Sequence, residues 1–123
     1  MGSKRVSTSR LRVTGDPALA LVVRIFVGSV TDQWELSEPV RDDLRLAASE
    51  LFSGAVEAGN RELVRFELST DGDGMELRAD DVTVDQESAD LDGWTGRFAL
   101  IRALFPDADV SDTSVRIRVP LPS

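Results

Sequence analysis

The chain has 123 residues, enough for one domain with a real core and too few for two. It contains no Cys, His or Tyr. That excludes disulfides, thiolate chemistry, zinc clusters, imidazole bases and a Ser-His-Asp triad, so any site must be built from carboxylates, hydroxyls, Arg and backbone. Lys and Arg number 14 against 22 Asp and Glu, a net charge of −8. This argues against direct nucleic-acid binding, which rests on cationic neutralisation of phosphates, and leaves a basic protein partner open.

Met1 to Arg10 is polar and unlike a signal peptide, and the longest apolar stretch, Ala18 to Val30, is interrupted by Arg24 and too short to cross a bilayer. A cytoplasmic protein with no membrane contact is expected. With no repeat and no interior linker, a single domain is expected over 10–121 behind a flexible N-terminal segment, 1–9. Leu11 and Val13 alternate with Arg12 and Thr14 as a short opening strand ending at Gly15. Asp16-Pro17 starts a helix, one residue capping free amides and the other fitting the first turn. Leu19, Val22, Val23, Phe26 and Val30 recur at helical spacing, and Leu21, Ile25 and Val27 widen the stripe, so burial on more than one side is expected. Ser37-Glu38-Pro39 opens a second helix whose apolar period runs from Val40 to about Ala58, where Gly59-Asn60 closes it.

The period then changes to two. Val64, Phe66 and Leu68 alternate with polar residues, as do Met75, Leu77 and Ala79, and Asp71-Gly72-Asp73-Gly74 lies between them. This reads as a hairpin turn rather than a calcium loop, because the later acidic ligands are missing. Asp85 to Gly93 is an acidic loop, Trp94 to Phe105 a third helix stopped by Pro106, and Val115 to Leu121 a closing strand. Trp34 and Trp94 are partial core covers or interface anchors. The order predicts an α/β fold: a two-layer sandwich with a mixed, mostly antiparallel sheet covered on one face by about three helices.

Four stretches carry a family resemblance: Asp16 to Val30 (DPALALVVRIFVGSV), Val40 to Ala58 (VRDDLRLAASELFSGAVEA), Met75 to Asp81 (MELRADD) and Leu100 to Leu104 (LIRAL), with Val115 to Leu121 as a final strand. Together they resemble the small GHKL, or Bergerat-fold, ATPases of the bacterial anti-sigma factor and serine-protein kinase type. In that family a helical Glu activates the attacking hydroxyl or water, and an Asn four residues later holds the magnesium that bridges the phosphates. Glu50 matches the Glu, but Gly54 stands at the Asn position, leaving no metal ligand. Asp80, or Asp81 if the register moves by one, matches the adenine-contacting Asp, but Val82 and Val84 replace the glycines that follow it. The second glycine box is reduced to Gly93 and Gly96.

The resemblance thus implies a degenerate member: Glu50 a vestigial base position, Asp80 and Asp81 vestigial adenine contacts, Gly96 a remnant of the phosphate loop, and no metal site. Taken without the resemblance, Glu50 is an ordinary helix-surface carboxylate, Gly54 a point of close packing, and Asp80-Asp81 a strand end. The expected function is an anti-sigma-factor-like regulator that binds a sigma factor or an anti-sigma antagonist in partner switching, with ATP and magnesium chemistry lost and neither cofactor needed. A homodimer is compatible with it. The alternative is an active ATP-dependent protein serine kinase using Glu50, ATP and Mg.

Overall fold

The computed structural model describes residues 6–59, 62–82, 93–111 and 113–121. The chain runs β1 (Ser7–Thr14), a 3-10 turn (Pro17–Leu19), α1 (Ala20–Gln33), α2 (Glu38–Glu57), β2 (Leu63–Thr70), β3 (Gly74–Asp80), α3 (Gly93–Leu104), β4 (Asp109–Val110) and β5 (Ser114–Pro120). The strands form one sheet in the order β1-β2-β3-β5-β4. Every pairing is antiparallel, which corrects the expected mixed sheet. The reason lies in where the helical excursions begin and end. Thr14 pairs with Leu63 across the α1 and α2 excursion, and Asp80 pairs with Ser114 across the α3 excursion. Each leaves and re-enters at the same end of the sheet, so the returning strand must run back beside the one it left.

The start of β1 is also earlier than expected. Ser7, Thr8 and Ser9 pair with Thr70, Ser69 and Leu68, so three residues assigned to a flexible segment belong to the sheet. They carry no apolar alternation, and only the partner strand shows that they are extended.

Strand alternation sorts the side chains between two faces. Val13, Val64, Phe66, Leu68, Leu77, Ala79, Val115 and Ile117 are buried under the helices. From the helix layer, α1 buries Val23 and Val27; α2 buries Leu44, Ala47, Ala48, Leu51, Phe52 and Ala55; α3 buries Ile101. Full burial of an aliphatic or aromatic side chain contributes about 1.5–3 kcal/mol, so this seam holds the layers together. Trp34 packs against the edge of the core. The Trp94 and Phe98 side chains lie outside the described residues. The expected two-sided burial of α1 is not found: Leu21 and Ile25 are each 57% exposed, because α2 and the sheet occupy only its inner flank.

Local chemistry closes the elements as their residues suggest. The Asp16 side chain accepts the Ala18 amide at 2.9 Å and caps the 3-10 turn. Gly59 adopts φ +89° just beyond α2, a left-handed conformation that glycine takes without penalty. In the β2–β3 turn, Asp71 Oδ1 accepts the amides of Asp73 (2.9 Å) and Gly74 (3.0 Å), while Arg118 donates to Oδ2 at 2.8 Å. The Gly74 amide, then Arg118, then the Asp73 amide hold the Asp71 carboxyl far below the usual carboxylate range. Thr70, buried beneath the turn, donates to the Gly74 carbonyl at 3.0 Å and accepts the Gly72 amide at 3.1 Å. Among the described residues no helix is long and apolar enough to cross a membrane.

Candidate nucleotide site

Glu50 and Gly54 stand four residues apart on α2, one turn above the other on the same flank. Glu50 is partly exposed, whereas Gly54 is buried. A mid-helix glycine costs about 1 kcal/mol relative to Ala. Its carbonyl accepts the Ala58 amide at 2.9 Å, so the backbone of this turn is committed to closing the helix. Ala58 is the exposed C-cap, and Asn60 lies outside the described residues. No oxygen-bearing side chain occupies the position one turn beyond Glu50.

The end of β3 separates the two adjacent aspartates from α2. Ala79 is fully buried on the helix-covered side. Asp80, the next residue, shares its face with Glu76 and Arg78, away from the helices. Arg78 Nε donates to Asp80 at 3.0 Å, and the hydrogen bond and charge of Asp80 raise the Arg78 pKa above its ordinary value. Asp81 follows at φ +64°, an uncommon left-handed conformation for a residue with a side chain. Its carboxylate lies 3.5 Å from Arg65 Nε, another open-face guanidinium. The covered side is held by Ala79 and Val82, both fully buried.

Gly93 begins α3 and Gly96 lies within it, so Gly96 is part of helical backbone and not of a loop before a helix. Val84 and the acidic segment 85–92 lie outside the described residues. The structure therefore brings Glu50 and Gly54 together on α2, places Asp80 on the opposite face of the sheet with Asp81 reaching toward the same arginines, and puts Gly96 inside α3. Among the described residues no group of three or more Asp and Glu is placed to hold a metal ion.

Sequence reasoning also missed a groove of about 700 Å³ between the outer flanks of α1 and α2. Leu21, Ile25 and Leu46 supply its apolar lining, and Arg24, Arg41 and Arg45 its cations. Arg41 crosses from α2 to α1, donating to the Gly28 carbonyl at 3.1 Å and lying 3.3 Å from Asp32. The exposed Leu21 and Ile25 on a helix expected to be buried on more than one side are the trace this groove leaves in the sequence. Neither Glu50, Asp80 nor Asp81 lines it.

No curated protein matches the chain significantly. The family model described as the histidine kinase-like ATPase domain matches residues 13–96, from the end of β1 through Gly96, and so spans every position considered above. With its antiparallel sheet covered by helices and a match over more than half its length, the chain belongs to the histidine kinase-like, GHKL-type ATPase domain family.

Proposed function

We propose that the protein is an anti-sigma-factor-like regulator that works by binding a sigma factor or an anti-sigma antagonist, its magnesium and ATP chemistry having been lost. The observation that carries this reading is Gly54: one turn beyond Glu50, where the family's metal ligand belongs, there is a buried glycine with no side-chain oxygen, its carbonyl being taken by the Ala58 amide. Two further features support it. Val82 is packed into the core where a glycine would let ligand approach, and the Asp80 carboxylate is turned to the other face of the sheet and held by Arg78. The residues present therefore do not fit a magnesium-nucleotide cradle. What remains is the scaffold and its surfaces, and a chain with net charge −8 is suited to meeting basic regions of a partner.

Calorimetric titration of the full chain with a non-hydrolysable ATP analogue and magnesium tests this. No heat of binding is expected; micromolar affinity would overturn the reading. Gly54→Asn alone is expected not to produce phosphotransfer, since Val82 and the placement of Asp80 obstruct nucleotide independently of the metal. The second reading, an ATP-dependent protein serine kinase, is favoured by the retained Glu50 on α2. It requires phosphotransfer to a serine of the antagonist and loss of that activity in Glu50→Gln.

A further inference from the structure

We propose that the open face of the sheet is a docking surface for an acidic helical segment of another protein, centred on Arg10, Arg12, Arg65 and Arg78. This goes beyond the reading above and does not depend on it. Strand alternation places these four residues, with Arg116 and Arg118, on the face away from the helices. The same face carries six of the chain's 14 cationic residues; Glu67, Glu76, Asp80 and Asp109 stand on its strands, and Asp71 and Asp81 reach its arginines from the strand ends. In a chain of net charge −8 this face as a whole is balanced, and its local positive excess lies where Arg10, Arg12, Arg65 and Arg78 meet Glu67 and Asp80. Among the described residues no helix covers it. Arg10, Arg12, Arg65 and Arg78 line a polar concavity of about 500 Å³ together with Glu67 and Asp80.

The register makes the arrangement costly to the fold itself. Arg12 lies directly opposite Arg65, and Arg78 directly opposite Arg116. Like charges placed opposite each other on adjacent strands destabilise a sheet, and a solvated face is served as well by Ser or Thr. The neighbouring carboxylates offset part of the repulsion: Glu67 lies 2.9 Å from Arg10, Asp80 3.0 Å from Arg78, and Asp81 3.5 Å from Arg65. Arg12 has no carboxylate partner among the described residues. An anion laid over the Arg12 and Arg65 pair removes the conflict, and guanidinium groups bind carboxylates through two parallel hydrogen bonds.

The occupant follows from the pattern. Glu67 and Asp80 sit between the arginines and repel a phosphate backbone, and no aromatic side chain faces outward from the paired strands to stack a base. A protein segment of mixed sign with acidic residues in excess has neither difficulty. Adjacent strands are about 4.8 Å apart, and carboxylates three or four residues apart on a helix are separated by about 5–6 Å. Carboxylates one helical turn apart therefore match the opposed pair Arg12 and Arg65; straight across on β3 stands Asp80, so a third acidic contact, to Arg78, lies on the diagonal.

The full chain is titrated by fluorescence anisotropy with a labelled helical peptide carrying Glu at every fourth position and a smaller number of Lys on an Ala background, at low and at physiological salt. Binding is expected, weakening with salt because the contacts are exposed charges. The double variant Arg12→Gln/Arg65→Gln is expected to bind about tenfold more weakly, having lost two charged hydrogen-bonding partners. Arg12→Lys/Arg65→Lys is expected to retain part of the affinity, and Arg24→Gln/Arg102→Gln on the helix layer all of it. Because the Gln variant relieves repulsion, its melting temperature should equal or exceed that of the wild type, which separates lost binding from lost folding. Four outcomes overturn the proposal. They are no binding of the striped peptide, equal binding of a peptide with the same composition but Glu spread around the helix, equally tight binding of an oligothymidylate, and sedimentation showing a wild-type dimer that Arg12→Gln/Arg65→Gln splits.

Discussion

The two faces of the sheet are built from the same strands, one residue out of phase. Toward the helices stand Val64, Phe66, Leu68, Leu77 and Ala79, all buried; away from them stand Arg65, Glu67, Arg78 and Asp80. The covered face excludes unpaired charges, which would lose their water without recovering a partner; its buried hydroxyl, Thr70, is hydrogen-bonded to the turn. The open face tolerates even opposed arginines, since water and nearby carboxylates screen them. The first face carries the packing of helices on sheet. The second face is free of that packing constraint.

The contrast is sharpest at two adjacent residues. Ala79→Asp puts a carboxylate into the covered face beside Val82 and should destabilise the chain by about 3–5 kcal/mol, read from urea midpoints. Phe66→Ala, which empties the middle of the same face, should cost about 3–5 kcal/mol. If either variant melts like the wild type, the two faces do not differ in the way described. Thr70→Val tests the one buried hydroxyl under the hairpin. Losing its bonds to Gly72 and Gly74 should cost about 1–3 kcal/mol while leaving the volume unchanged. At the other extreme, Asp80→Ala breaks a partly exposed pair with Arg78 and should change stability by less than about 1 kcal/mol.

The exposed turn supplies a pH test. Asp71 has a folded-state pKa depressed by the Gly74 amide, Arg118 and the Asp73 amide, so the folded state favours its ionised form. Its contribution is complete above the unfolded carboxylate pKa and is lost as pH falls through the folded one. The gap in urea midpoint between wild type and Asp71→Ala should therefore stay constant from neutral pH down to about pH 4 and narrow below it. A gap that widens on acidification would contradict the assigned bonds.

Much of the architecture was legible in the residues. The three-four period from Val40 to Ala58 marks α2, the Asp16-Pro17 pair marks the entry to α1, and the alternation around Asp71 to Gly74 marks the hairpin, all within a few residues of the observed bounds. The two-residue β4 escaped notice because Asp109-Val110 is too short for any period, and it exists only by pairing with Arg116 and Val115. The polar start of β1 was hidden for a similar reason. Of the candidate site, the proximity of Glu50 and Gly54 follows from helical spacing alone. The separation of Asp80 from them was contained in the alternation of Met75, Leu77 and Ala79 with Glu76, Arg78 and Asp80, once the apolar set is taken as the covered face. The arginine surface was invisible because its members come from four strands, and pairing register cannot be read from one strand at a time.

The Asp71 to Gly74 turn has a consequence for how the chain finds its fold. A slip of one residue between β2 and β3 would invert whichever strand moved: β2 would send Arg65 and Glu67 beneath the helices and expel Phe66, and β3 would do the same with Arg78 and Leu77. Asp71 clasps two turn amides and Arg118, and the Leu121 amide donates to the Asp73 carbonyl at 2.9 Å, so the turn pins three strands in phase at one point. Misaligned pairings are thereby penalised at two levels, by the geometry of the turn and by the arginines they would bury. The charged face thus helps to specify strand alignment, apart from any part it plays as a surface.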